Sequence, residues 1–300
     1  ILVRNLYLSL DPAMRGWLND AKSYIPPVGI GEVMRALGVG QVIASNNPSF
    51  AVGDHVNGAL GAQDYFLGEP KGFYKVDPNR APLPLYLSAL GMTGMTAYFG
   101  LLDVGQPKAG ETVLVSAAAG AVGSVVGQVA KIKGCKVIGI AGGPEKCRWL
   151  TEELGFDGAV DYKNEDVGEA LDRLAPDGID INFENVGGDI MNAVWNRMNV
   201  HGRMAVCGLI SAYNATRPPP SPNFARIITH RLNIQGFLVL DYAPRAREMV
   251  AEMGPWLADG KIQWKVHVDE GLESALESLN RLFTGDHDGK LLVKVSEEPA

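Results

Sequence analysis

The rhythm of apolar and polar residues changes near residue 90. Before it, short apolar runs (LVRNLYLSL, VGQVIAS, GDHVNGAL, GFYKV) alternate with Gly- and Pro-rich stretches. Short runs bounded by turn residues predict β-strands, and no long helical repeat interrupts them. Asp11-Pro12 reads as a turn. From LGMTGMTAYFGLLDVG (90–105) onward, a buried strand, a turn and an amphipathic helix recur. ETVLVS predicts a strand. After it Val122, Val125, Val126, Val129 and Ala130 fall on one helical face, with Gly134 as the C-terminal cap.

CKVIGIA predicts the next strand, and PEKCRWLTEELG a helix with Pro144 at its first position and Gly155 past its end. The strand GIDINFEN precedes a helix whose apolar positions are Met191, Val194, Trp195 and Met198. GRMAVCG and LNIQGFLVL predict two more strands. Segment 271–284 predicts a helix with Leu272, Ala275, Leu276, Leu279 and Phe283 on one side, and GKLLVKV predicts a closing strand. Strand–helix alternation of this kind implies a doubly wound parallel sheet, so the fold class is α/β with a β-rich part before it.

Composition supports a packed protein. Hydrophobic residues are 46% and charged residues 20% of the 300. The net charge of −7 argues against nucleic acid or an anionic membrane as the main partner. No apolar run approaches the roughly 20 residues of a membrane span. Cys135, Cys147 and Cys207 lack C-x-x-C spacing, and three are too few for a four-cysteine zinc site. They read as small apolar residues of a protein in a reducing cytoplasm. The histidines His55, His201, His230, His267 and His287 are dispersed, without an H-E-x-x-H pattern, so no metal site is expected.

The chemistry begins at VSAAAGAVGS (115–124), between a strand and a helix. Its register is G-x-G-x-x-G with Ala118 in the first glycine position and Gly120, Ala121, Val122 and Gly123 following. Gly120 allows close approach of a pyrophosphate, and Gly123 lets helix and strand lie close; Ala118 serves if its φ stays negative. A NAD enzyme usually places an acid about 20 residues on, at the end of the second strand, against the ribose hydroxyls. Ala141, Gly142 and Gly143 stand there instead, and Lys146 follows. The missing acid and the nearby cation favour NADP(H), with Lys146 on the 2′-phosphate. The competing reading makes Glu145 the ribose ligand and the cofactor NAD.

Several stretches together resemble one family: LSLDPAMRGW, GEVMRALGVGQV, LGMTGMTAYFGLL, SAAAGAVGSVVGQVAKIKGCKVIGIAG, DYKNED, FENVGG and CGLISAYN. They are similar to the prostaglandin reductases and alkenal/enone double-bond reductases, zinc-free medium-chain dehydrogenase/reductases, and within these to bacterial curcumin-reductase-like members. The resemblance implies a GroES-like β-rich domain over residues 1–92 lacking its first strands, a Rossmann NADP-binding domain over 93–266, and a segment 267–300 returning to the first. It implies NADPH-dependent reduction of the C=C bond in α,β-unsaturated ketones and aldehydes by a cytoplasmic homodimer. Carried over by motif, Tyr162 joins Lys146 at the 2′-phosphate and Asn185 lies near the ribose. Cys207, Gly208, Leu209, Ile210, Ser211 and Tyr213 border the nicotinamide, as do Phe237, Leu238 and Val239. Tyr213 is the candidate catalytic donor at the substrate oxygen, and Arg15 a candidate substrate residue.

Two departures stand out. Ala13 occupies a position where many relatives have Tyr, which bears on substrate size. His287 stands in GDHDGK where relatives have Asn, a departure that bears on one cofactor hydrogen bond. Two alternatives share the cofactor loop: a zinc-free quinone oxidoreductase and a non-catalytic NADPH-binding sensor.

Overall fold

The structure is a computed structural model and describes residues 1–299. It divides into two compact units, one of residues 1–91 and 265–300 and one of residues 92–264. Along the chain the strands are β1 (Leu2–Ser9), β2 (Gly38–Ala44), β3 (His55–Gly58), β4 (Tyr65–Leu67) and β5 (Tyr74–Val76), then β6 (Thr112–Val115), β7 (Lys136–Ala141), β8 (Gly158–Asp161), β9 (Ile179–Glu184), β10 (Met198–Val206) and β11 (Asn233–Gly236), and last β12 (Val266–Glu270) and β13 (Lys290–Lys294). The helices are α1 (Ala13–Trp17), α2 (Met92–Phe99), α3 (Gly123–Ile132), α4 (Pro144–Arg148), α5 (Val167–Leu174), α6 (Gly188–Trp195), α7 (Ala225–His230), α8 (Ala246–Ala258) and α9 (Ala275–Thr284).

In the first unit β1 is the spine. It pairs antiparallel with β2, β4 and β13, and the path runs β12-β13-β1-β2-β3-β5. Lys290 and Asp11 form a buried ion pair at 2.8 Å, and the Lys290 ammonium also donates to Leu10 O at 2.6 Å. Ser9 Oγ donates to the second Asp11 oxygen at 2.6 Å, so the buried carboxylate is satisfied on both sides. This pair fixes the turn that leads into α1.

The second unit is a parallel sheet in the order β11-β10-β9-β6-β7-β8. β6 lies mid-sheet, with β7 and β9 on its two sides. The chain therefore reverses winding direction beside the end of β6, the position where open parallel sheets bind ligands. The core on one face is Leu114, Ile138, Ile140, Val160, Leu171, Ile179 and Val194. Helix α3 buries Val125, Val126, Val129 and Ala130 as the periodicity predicts. Among the described residues no helix is long and apolar enough to cross a membrane.

Four elements differ from the sequence expectation. Met198 opens β10 rather than continuing α6, and packs buried against Trp195, Met204 and Leu232. LNIQGFLVL is a strand only to Gly236; a 3-10 segment follows over Val239–Arg245. The helix after Pro144 turns into a π segment at Trp149–Glu153. Leu276 of α9 is exposed, because the buried stripe runs through Leu279 and Leu282 instead.

Gly127 on α3 shows how tightly the second unit is packed. A Cβ there would stand 1.9 Å from Phe156 Cζ. Gly127→Ala is expected to cost about 1–3 kcal/mol by overpacking. Adding Phe156→Leu should recover part of the loss in denaturant titrations, and an unchanged midpoint in the single variant would refute the contact.

Candidate cofactor site and active centre

The predicted cofactor residues of the second unit gather where its parallel strands end. The loop after β6 carries the strain. Ala117 holds φ +49°, a left-handed conformation that costs a non-glycine residue roughly 1–2 kcal/mol. Ala118 does not adopt positive φ; it is fully buried, and its N–H donates to Ile140 O at 2.9 Å. An alanine therefore fits the first glycine position. Gly123 is needed where it stands, since a Cβ there would lie 2.4 Å from Ala117 O and 2.8 Å from Ala118 Cα. At Gly120 a Cβ would meet only Ala117 O, at 3.2 Å.

Among the described residues, the N–H groups of Val122 and Gly123 at the start of α3 have no acceptor. Free N–H groups at the head of a three-turn helix are anion-binding donors. A dinucleotide pyrophosphate fits this donor set.

Beyond β7, Ala141 is buried and Gly143 takes φ +102° at the head of α4. Glu145 is exposed and Lys146 half-buried. Tyr162 follows β8, and its N–H donates to Ala141 O at 3.2 Å. A carboxylate does stand here, from the third strand rather than the second. Asp161 Oδ1 accepts from Gly143 N at 2.7 Å and Lys163 N at 3.1 Å, and Oδ2 accepts from Asn164 Nδ2 at 2.7 Å. Burial works against this carboxylate, but Asn164, the two N–H groups and the nearby Lys163 charge outweigh it and hold its pKa below the ordinary value. Asp161 organises the turn.

The centre of the site rests on Glu184, which sequence reasoning missed. It is fully buried at the end of β9. Its Oε1 accepts from Ser116 Oγ at 2.8 Å, Val186 N at 2.7 Å and Gly187 N at 2.9 Å, and its Oε2 from Asn182 Nδ2 at 2.9 Å. Ser116 Oγ in turn accepts from Asn185 N at 2.8 Å, and Asn185 Nδ2 donates to Ser116 O at 2.7 Å. The available signal was an acid closing the strand IDINFE, in which Ile179, Ile181 and Phe183 alternate with polar residues.

The same turn receives the segment after β10. Cys207 N and Gly208 N donate to Glu184 O at 2.9 and 3.1 Å, Ile210 N to Asn185 O at 3.1 Å and Ser211 N to Val186 O at 3.0 Å. Ser211 Oγ also donates to Val186 O, at 2.6 Å. Leu209 packs over Gly187, where a Cβ would stand 3.1 Å from Leu209 Cδ2. The Tyr213 hydroxyl lies 3.3 Å from the point a Gly208 Cβ would occupy. Burial and the Glu184 charge push the Cys207 thiol up to about 12, and burial with Asp161 and Glu165 pushes Cys147 up to about 11. Both thiols are thus protonated at neutral pH and poor nucleophiles.

Phe237 turns inward. Its ring meets Phe183 edge-on at 6.1 Å, and its tip would strike a Cβ at Gly100. Leu238 is exposed, and Val239 opens the 3-10 segment. Arg15 and His287 belong to the first unit. Arg15 Nη1 donates to Asn19 Oδ1 at 2.8 Å, and half-buried His287 lies between α9 and β13. No group of three or more His, Cys, Asp or Glu among the described residues is placed to hold a metal ion.

Two family models match the chain. Residues 1–76 match the family described as N-terminal domain of oxidoreductase, and residues 121–259 the family described as zinc-binding dehydrogenase. The chain is 45% identical over 302 residues to NADPH-dependent curcumin reductase of Escherichia coli, covering 99% of this chain and 88% of the relative. The chain belongs to the zinc-free medium-chain dehydrogenase/reductases. Another member of this family, the NADP(+)-dependent 2-alkenal reductase of Nicotiana tabacum, is 45% identical over 304 residues, covering 99% of this chain and 88% of the relative. A third, the crystal structure of CurA in complex with NADPH from Vibrio vulnificus, superposes with TM-score 0.94 at 46% identity, covering 99% of this chain and 90% of that one.

The Asp161 turn yields a pH prediction. Its folded-state pKa is depressed, so its stabilisation is full above the unfolded value, near 4, and is lost as pH falls through the lowered folded value. Asp161→Asn should lower the melting temperature at pH 7, and the gap to the wild type should close as the pH falls below about 4. A gap independent of pH would show that the charge is immaterial.

Proposed function

We infer that this chain is an NADPH-dependent reductase of the C=C bond in α,β-unsaturated ketones and aldehydes. The observation that carries this reading is whole-length identity of 45% to a curcumin reductase and to a 2-alkenal reductase. The cofactor loop supports it, because the acid expected of a NAD enzyme at the end of β7 is replaced by Ala141, Gly142 and Gly143.

When bound, NADPH supplies the hydride, which goes to the substrate β-carbon. The chain's residues do the rest. The Gly120–Gly123 loop, with the free N–H groups of Val122 and Gly123, would hold the pyrophosphate. Lys146 and Tyr162 would take the 2′-phosphate, and Asn185, pinned by Ser116, the ribose. Cys207–Tyr213 and Phe237–Val239 would border the nicotinamide. As hydride arrives, negative charge builds on the carbonyl oxygen. The Tyr213 hydroxyl is the donor we assign to that oxygen, a role worth a few kcal/mol in comparable sites. The proton ending on the α-carbon comes from Tyr213 or from water. His287 as a cofactor residue rests on family resemblance alone, and Arg15 either lines the substrate cleft or serves a structural ion pair.

The test is an oxidation screen with NADPH and NADH over alkenals, cyclic enones, diaryl enones and quinones. Enone turnover with NADPH preferred is expected. Turnover of quinones alone, or of nothing, defeats the reading. Tyr213→Phe should lower kcat at least about tenfold with NADPH affinity held, and an unchanged kcat removes Tyr213 from the chemistry.

We also propose a cytoplasmic homodimer. The three cysteines are all unpaired, as in reducing compartments. β11 leaves one edge of its sheet open, beside the exposed Phe224 and Ile228 of the α7 region. Sedimentation should give twice the 32.1 kDa chain mass, and a monomer at micromolar concentration would refute the dimer.

A further inference from the structure

The turn after β8 presents a second cation that the functional reading has not used. A Cβ at Gly142 would stand 2.9 Å from Lys163 Cε, 2.9 Å from Tyr162 Cε1 and 3.0 Å from Tyr162 Oη. Two side chains from the third strand's turn therefore converge on the end of the second strand. That is where an NAD enzyme would place its ribose-binding acid. In this chain any side chain at 142 would collide with both, and the space belongs to a lysine stem and a phenol.

The Lys163 charge is felt by the Asp161 carboxylate but is not engaged in a direct contact. No hydrogen bond or ion pair among the described residues ends on its ammonium. The neighbouring Asp161 carboxylate is stabilised in the Lys163 field, while its oxygens accept from Gly143 N, Lys163 N and Asn164 Nδ2. The backbone carrying Lys163 is held firmly. Asn164 N and Glu165 N both donate to Asp161 O at 3.0 Å, Asp161 N donates to Glu165 Oε1 at 3.1 Å, and Tyr162 N is bound to Ala141 O. A cation on a fixed turn, laid over a glycine and with its ammonium donors unengaged among the described residues, is what a phosphate dianion needs beside it.

We propose that Lys163 is a specificity-determining residue that binds the 2′-phosphate of the adenosine ribose, with the Tyr162 hydroxyl and Lys146 as the other two groups on that dianion. The proposal rests on the NADPH reading and deepens it. It also assigns Gly142 a role: the glycine keeps open the ground on which the Lys163 stem and the Tyr162 ring lie. Asp161 acts one step back, as the positioning residue for both.

The test separates this from the chemistry by using fragments that undergo no reaction. Calorimetric titration of the full chain with 2′,5′-ADP and with 5′-ADP reads the 2′-phosphate alone. Lys163→Met should weaken 2′,5′-ADP binding about five- to tenfold at low salt while 5′-ADP changes less than about twofold. Lys163→Arg should retain most of the affinity, because the charge remains. The slope of 2′,5′-ADP affinity against salt should flatten in Lys163→Met. In turnover, KM for NADPH should rise in parallel while kcat and the NADH parameters hold.

Equal losses for both nucleotides, or no loss for 2′,5′-ADP in a folded Lys163→Met, would overturn the assignment. So would full affinity in Lys163→Met with all of the discrimination lost in Lys146→Ala. The reductase reading fails separately, if the wild type prefers 2′,5′-ADP over 5′-ADP yet consumes no NADPH with any enone.

Discussion

One buried carboxylate holds the second unit's functional end together. Among the described residues no cation pairs with Glu184; its carboxylate accepts from the Ser116 hydroxyl, the Asn182 amide and the N–H groups of Val186 and Gly187. Charge-assisted hydrogen bonds of this kind are stronger than neutral ones, and a buried carboxylate without them would be costly. Ser116 begins the glycine loop, Val186 and Gly187 form the turn after β9, and the Glu184 carbonyl receives Cys207 and Gly208 at the end of β10. Three strand ends are therefore locked in one register by a single residue.

The small residues act within that lock. Gly123 lets α3 approach Ala117 and Ala118 closely, and the strained φ of Ala117 is tolerated because Ser116 before it and Ala118 after it are both hydrogen-bonded. Gly187 and Gly188, both at positive φ, turn the chain so that Leu209 and Ser211 can lie on them. Asp161 does for the Gly143 turn what Glu184 does for the turn after β9, at a more exposed position.

The division of labour between the two carboxylates explains why the cofactor preference reads as a missing acid. An acid is present near the end of β7, but its oxygens accept from Gly143 N, Lys163 N and Asn164 Nδ2, which ties it to the turn. The charge presented outward is that of lysines.

The sequence by itself determined the alternation of strands and helices in the second unit, the loop at 115–124, the absent acid at 141–143 and the family, because these depend on local spacing and on stretches of contiguous residues. The break of LNIQGFLVL after Gly236, the place of Met198 on a strand and the exposure of Leu276 were decided by packing across elements, which periodicity does not record. The roles of Glu184, Asp161 and Lys163 depend on such packing as well. Each matters through a neighbour 18 or more residues away, just past the end of another strand: Ser116 for Glu184, Gly143 for Asp161, Gly142 for Lys163. Only the tertiary structure brings those backbones close enough for a hydrogen bond, or for a missing Cβ, to decide what the residue does.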